Sequence, residues 1–308
     1  MAVIPNTAST WDELSGSQTS SDSRAALAWR ALRRNKGALV GLVIVVIYLV
    51  IGMVGIAAWQ DPAILSHDYA TQDLMLTFAP IGADEHLLGT DQLGRDMLSR
   101  LVVGVGISLA VGFGITAISM VIGIAVGAIA GYRQGWTDTI ISGLIEITWG
   151  FPLILIAVIA AGALGPGLTA TVLAVGLIYW AGFARVVRGE VVQLRQREFV
   201  QAATATGVSD HRILLRHILP NTLGPVIVLA TYYVAAAIIV EAGLSFIGLG
   251  AQPPLPSLGV MIADGRNYIL LDHWLSTLPG LTIVIIVMAL NLLGDGLRDV
   301  LDPRLRKA

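Results

Sequence analysis

The sequence predicts an all-α membrane protein with six transmembrane helices, and three observations carry that prediction. The first is composition: of 308 residues, 55% are hydrophobic and 13% are charged. Mean hydropathy is +0.77, whereas a soluble domain carries about 25% charged residues. The second is the recurrence of apolar runs long enough, at about 1.5 Å per residue, to cross a hydrocarbon core of about 30 Å. The third is the placement of basic residues, which cluster on alternate connections between those runs.

Taken in order, residues 1–36 form an N-terminal tail and an interfacial segment. Met1 to Ser23 is rich in Ser and Thr and poor in large apolar residues, the composition of a loosely held tail. Arg24, Arg30, Arg33, Arg34 and Lys36 then share a helical pattern with Leu27, Trp29 and Leu32. Such a helix lies at a headgroup interface or is simply a solvated helix. Residues 37–96 hold the first span, Gly37 to Trp59, and a polar, turn-rich segment from Gln60 to Arg95. The apolar run is longer than the core of a cleaved signal peptide and follows a long tail, so it is expected to remain.

Residues 97–308 hold the other five spans. Met97 to Gly131 is too long for one simple crossing, so its first turns are expected at the interface. Gly123, Gly127 and Gly131 make consecutive small-xxx-small steps that admit a neighbouring helix. Thr139 to Ala163 is the third span, with a kink expected at Gly150-Phe151-Pro152. Thr169 to Val187, Thr222 to Gly248 and Ser276 to Leu293 complete the set.

Orientation follows from the cations. The N-terminal segment, Arg133, and the 185–216 region with Arg185, Arg188, Arg195, Arg197, Arg212 and Arg216 share one side with Arg298, Arg304, Arg306 and Lys307. The opposite side keeps Arg95 and Arg266, with Arg100 near a span start. The positive-inside rule then places both termini in the cytoplasm.

Chemistry is constrained mainly by absences. With no Cys there is no disulfide, thiolate metal site or cysteine nucleophile. Lys36 precedes Gly37 and Lys307 precedes Ala308, so neither completes a phosphate-binding Gly-rich Lys-Ser/Thr loop. HExxH, GxSxG and GxGxxG are absent too, and no catalytic residue or cofactor-binding residue is assigned. Glu146 and Glu241 fall inside spans, where acids are costly and face an interior or a wet cavity. They either wall a translocation path or serve as hydrogen-bonded structural carboxylates. His67, His86 and His273 lack ligand spacing, and no metal is assigned to them.

The longest patterned polar stretch is Glu198 to Asn221, inside a loop of residues 189–221. Small residues at Ala202, Ala203 and Ala205 would let another surface approach, and Gly207 is suited to stop a first helix with positive φ. Ser209 or Asp210 would cap a second helix carrying Ile213, Leu214, His217 and Ile218, which Pro220 would end. The pattern fits a docking element or a loop folded back on its own bundle.

Ala202-Ala203, Gly207 and His217-Ile218-Leu219-Pro220-Asn221 together resemble the "EAA" loop of ABC-importer permeases. Gln201 stands where that family has Glu, and Thr204 where a basic residue is common. Leu88-Gly89-Thr90-Asp91 through Gly94-Arg95-Asp96, and the run from Asn291 to Arg304, resemble the dipeptide, oligopeptide and nickel importer group in its shorter permease. Read without the family, Thr90 or Asp91 is a helix cap and Asp96 favours the early turns.

The resemblance implies an ABC importer type I permease fold in a bacterial cell membrane. It implies a second permease as heterodimer partner, two cytoplasmic ATPase subunits that hold ATP and Mg, and an extracytoplasmic substrate-binding protein. Gln201, Ala202, Ala203, Gly207, His217 and Pro220 would couple the chain to the ATPases. Membrane lipid is a further partner, and nucleic acid is not. The rival reading is an ion-gradient-driven transporter or channel using Glu146 and Glu241.

Overall fold

The computed structural model describes residue 33 and residues 35–83 and 85–301. The tail expected over 1–23, the basic segment after it apart from Arg33 and Lys36, and the residues after Leu301 lie outside that range. Among the described residues the chain is helical, with two isolated bridges, Ala83 to His86 and Thr90 to Asp96, as its sole β pairing. Five helices are long and apolar enough to cross a membrane, and a sixth crossing results if one sharply bent pair counts as a span.

Helix α1 (Lys36–Gln60) starts at Asn35, whose Oδ1 accepts the Ala38 N–H at 3.1 Å. Its buried positions are Ala38, Gly41, Gly52, Gly55 and Ala58, while Val40, Val43, Val46, Val50 and Met53 are exposed. Small residues thus meet the protein and large apolar ones face outward, the arrangement of a lipid-facing helix. An added Cβ on Gly55 would lie 2.1 Å from the Val102 carbonyl oxygen.

Helix α2 (Met97–Arg133) is one continuous helix of 37 residues. It packs most extensively on α5 (Leu168–Arg195), and the three spaced glycines form that seam. Cβ atoms added at Gly123, Gly127 and Gly131 would lie 2.3 Å from Phe183 Cβ, 2.5 Å from the Ala184 oxygen and 2.7 Å from the Arg188 oxygen. The small-residue stripe read from the sequence is therefore a helix–helix contact.

The expected kink in the third span is a break. Helices α3 (Gly135–Gly150) and α4 (Leu153–Leu164) meet at 87°. Phe151, with φ −89° and ψ 134°, is driven out of the helical region by the ring of Pro152 behind it. Arg188 of α5 grips Asp138 of α3 through two donors, its Nη2 at 2.7 Å from Oδ2.

After α5 come α6 (Glu198–Ala205) and α7 (Asp210–Ile213). A π-helical turn, Leu214–Ile218, then leads into α8 (Leu219–Phe246). Pro220 does not end the second helix as its identity suggests. It lies within helical chain that runs on from Asp210, two residues past the π turn, in which the Leu219 N–H reaches back five residues to the Leu214 oxygen. The expected short helix and fifth span are accordingly one crossing, Asp210–Phe246.

A short helix α9 (Leu258–Gly265) and α10 (Trp274–Leu301) complete the bundle. Asn35 Nδ2 donates to Asp299 Oδ2 at 3.1 Å, so the start of α1 and the end of α10 share one end with residues 198–218.

The segment 61–96 lies at the opposite end and is folded. Asp91 accepts from the N–H groups of Leu93 and Arg95 and from Arg95 Nε, at 2.7–3.0 Å. Buried Arg100 lies between Asp91 and Asp264 of α9, at 3.4 and 3.3 Å. The cap of α2 is Asp96, whose Oδ2 accepts the Ser99 N–H at 2.7 Å, rather than Thr90 or Asp91. Asp91 is held away from the helix start by its own turn.

Candidate coupling site

The 198–221 stretch builds a compact platform with a sharply defined stop. Val200 of α6 is buried in one apolar cluster with Ile213, Ile218 and Val226 and with Val187 and Val191 of α5. Ala203 and Val208 pack partly onto the same cluster. At the end of α6 the Val208 N–H bonds the Ala203 oxygen at 3.1 Å and the Gly207 N–H bonds the Thr204 oxygen at 3.0 Å. These paired bonds, with Gly207 at φ +79°, are a Schellman motif.

With Val200 and Ala203 turned inward, α6 exposes Phe199, Gln201, Ala202 and Ala205. Phe199 is 44% exposed, an aromatic ring on an otherwise small face. Gln201 Nε2 donates to the Gln196 oxygen at 3.2 Å, and Thr204 Oγ1 to the Val200 oxygen at 2.9 Å. The two positions that depart from the EAA pattern therefore bond their own backbone. Ala203, one of the two alanines of that pattern, faces the bundle.

One polar tether joins the platform to α2. The Tyr132 hydroxyl at the end of α2 donates to Asp210 Oδ1 at 2.8 Å. The Arg195 guanidinium stands over the Tyr132 ring, 5.3 Å from its centroid. Ser209 occupies the cap position of α7 without a side-chain bond. His217 is half-buried in the π turn and its carbonyl accepts from Asn221 Nδ2 at 2.6 Å, while Pro220 is exposed. Beside the platform a cleft of about 960 Å³ opens between α5, α8 and α10, lined by Glu190, Arg197, Tyr232, Asp295 and Arg298 among others.

The two intramembrane acids part company. Glu241 is fully enclosed, with Oε2 accepting from Ser108 of α2 at 3.0 Å and Oε1 from Ser245 at 2.7 Å. Ser245 Oγ in turn accepts the Ala251 N–H at 3.0 Å, so one carboxylate joins α2, α8 and the following loop. Glu146 on α3 is exposed at the surface of this chain. His273 is exposed and stacks on Trp274, whereas His67 and His86 come together, with ring centroids 4.3 Å apart.

Comparison with known proteins adds the family. Residues 123–307 match the family described as binding-protein-dependent transport system inner membrane component. Residues 23–80 match the N-terminal TM domain of oligopeptide transport permease C. The dipeptide transport system permease protein DppC of Bacillus subtilis is 41% identical over 281 residues, covering 91% of this chain and 86% of the relative. The di/tripeptide transport system permease protein DppC of Pseudomonas aeruginosa is 39% identical over 283 residues, 91% and 92% of the two chains.

The glutathione transport system permease protein GsiD of Pectobacterium atrosepticum is 42% identical over 221 residues, 72% and 73% of the two. Among solved structures, a chain of the MetNI methionine ABC transporter in an inward-facing conformation superposes with a TM-score of 0.56 at 22% identity. It covers 66% of this chain and 97% of that one, a likeness of fold. With 185 matched residues running from the glycine seam through the platform to the end of α10, this chain belongs to the family of binding-protein-dependent transport-system inner membrane components, the membrane permeases of ABC importers.

Proposed function

We propose that this permease carries di- or oligopeptides across a bacterial cell membrane as one half of a heterodimeric pathway, driven by ATPase subunits that grip α6. The peptide class rests on the relatives, two of which are named as dipeptide and di/tripeptide transport permeases. In this reading a second permease completes the pathway, two ATPases carry ATP and Mg, and a substrate-binding protein delivers cargo to the face bearing residues 61–96. Both termini then lie in the cytoplasm, on the side where the basic residues cluster.

The observation that carries the reading is the Schellman-locked helix α6. Its inner face is anchored by Val200 and Ala203, and its outer face is left open at Phe199, Gln201, Ala202 and Ala205. A lever must be rigid toward the bundle and free toward its driver. The buried cluster provides the first property, and the exposed small face provides the second. Force on α6 reaches α5 through Val187 and Val191, α8 through Ile218 and Val226, and α2 through Tyr132. The drive requires contacts that differ between nucleotide states, since equal contacts would shift no equilibrium.

The gradient-driven rival would use Glu146 and Glu241 as carriers. Glu241 suits a staple better, because each of its oxygens already holds a serine hydroxyl.

The chain has no cysteine, which makes the test direct. Ala202→Cys introduces a single thiol on the exposed face of α6. In the assembled importer it should cross-link to the ATPase subunit, with a yield that changes on nucleotide binding. Cross-linking to lipid or to an external reagent alone would overturn the assignment.

A further inference from the structure

We propose that His67, His86 and Asp96 form a binding site for one divalent transition-metal ion of the Zn²⁺ class, in the folded segment at the 61–96 end of the bundle. The inference is independent of cargo and of ATPase coupling. One ligand atom from each residue can be chosen so that all three lie within 4.8 Å of one another. The residues come from three separate pieces of chain. His67 lies in the turn after Pro62–Ile64, His86 at the bridge with Ala83, and Asp96 at the cap of α2.

The donor set fits a borderline cation. Imidazole nitrogens suit Zn, Cu, Ni and Co, and a carboxylate oxygen supplies compensating negative charge. Asp96 can only accept as a carboxylate, and it does so twice: Oδ2 takes the Ser99 N–H at 2.7 Å and Oδ1 faces His86 Nδ1 at 2.8 Å. An ion held by both residues would take the place of the proton between His86 Nδ1 and Asp96 Oδ1, which already face a common point. The Ser99 bond leaves Oδ1 as the oxygen available to an ion.

Distances decide how much must move. Ligands about 2.0–2.1 Å from a tetrahedral ion lie about 3.4 Å apart. The separations, all within 4.8 Å, need to close by at most about 1.4 Å. His67 is half-buried in a short turn while His86 and Asp96 are buried, so His67 is the member that moves. Its partial exposure gives that side chain room to turn. The bland alternative is that two rings merely stack, 4.3 Å apart at 35°, with His86 bonded to Asp96.

The test uses the full chain in its assembled complex, purified with a tag lacking histidine and stripped with EDTA. Zn²⁺ binding is read by equilibrium dialysis, and Co²⁺ binding by visible absorption. One saturable equivalent per chain is expected at micromolar free metal, with the Co²⁺ spectrum of a nitrogen-containing site. His67→Phe keeps the stacked ring and removes both nitrogens, and should weaken binding at least about tenfold. His273→Phe should leave it unchanged. Absence of saturable binding, or equal binding in wild type and His67→Phe, overturns the site. Should His67→Phe fail to assemble, His67→Gln carries the same comparison.

Discussion

The Tyr132 hydroxyl donates a 2.8 Å hydrogen bond to Asp210 Oδ1, joining the last turn of α2 to the first residue of α7 across 78 positions of sequence. It is the one side-chain hydrogen bond described between α2 and the 198–218 platform, whose other attachments are apolar. A polar tether at the rim of an apolar joint fixes direction, whereas the apolar cluster fixes affinity. Tyr132→Phe removes the donor and leaves the ring beneath Arg195.

That substitution should lower uptake per ATP hydrolysed while leaving membrane insertion and assembly intact. A net hydrogen bond contributes about 1 kcal/mol, so stability should fall by no more than that. Combining it with Asp210→Asn in a double-mutant cycle checks the pairing. Additive losses of coupling would show that the two side chains act separately.

Gly207 offers a cleaner test of the platform's stop. A Cβ built there meets nothing within 4 Å, so space is not the constraint; the φ of +79° is. Gly207→Val should strain the turn by about 1–2 kcal/mol and weaken transport, with the protein still inserted. Gly207→Asn tolerates the left-handed region better and should recover much of the activity. Uptake in vesicles, alongside immunoblotted membrane levels, distinguishes these outcomes. Equal activity of all three proteins would remove the turn from the mechanism.

How much of this was legible beforehand depends on the range of the interactions. Span positions follow from local hydropathy, and the stop at Gly207 follows from local backbone chemistry, so both can be read from neighbouring residues. The break at Gly150-Phe151-Pro152 is local too, but its angle of 87° depends on where α4 packs. Pro220 misleads because the π turn at Leu214–Ile218 shifts the backbone bonding just ahead of it, so the helix runs on past the proline. The serines of Glu241, the partner of Tyr132 and the meeting of His67 with His86 were beyond reach. Ser108 lies 133 residues from Glu241, and no periodicity encodes such a contact.

The glycine seam between α2 and α5 predicts a steep dependence on size. At Gly127 an added Cβ would fall 2.5 Å from the Ala184 oxygen and 2.9 Å from its Cα, both backbone atoms that cannot swing aside. Gly127→Ala should lower the thermal midpoint of the assembled complex measurably, and Gly127→Val should prevent assembly. Overpacking of this kind costs about 1–3 kcal/mol where the backbone can shift, and more where it cannot. Gly143→Ala on α3, where nothing lies within 4 Å, is the control and should be neutral. A thermal unfolding series in detergent reads all three.

Glu241 separates a structural acid from one on the transport path. Its two oxygens satisfy Ser108 and Ser245 in a fully buried setting. Glu241→Leu would strand both hydroxyls, at about 1–3 kcal/mol for each buried group left unpaired. Glu241→Gln keeps the shape and can still bond both serines, since a hydroxyl accepts as readily as it donates. Stapling therefore predicts that Leu lowers stability and uptake together, and that Gln lowers neither by much. A carrier or path-lining role predicts the opposite for Gln: normal stability with lost uptake, because the exchangeable charge has gone. Thermal midpoints and peptide uptake measured on the same preparations decide between them.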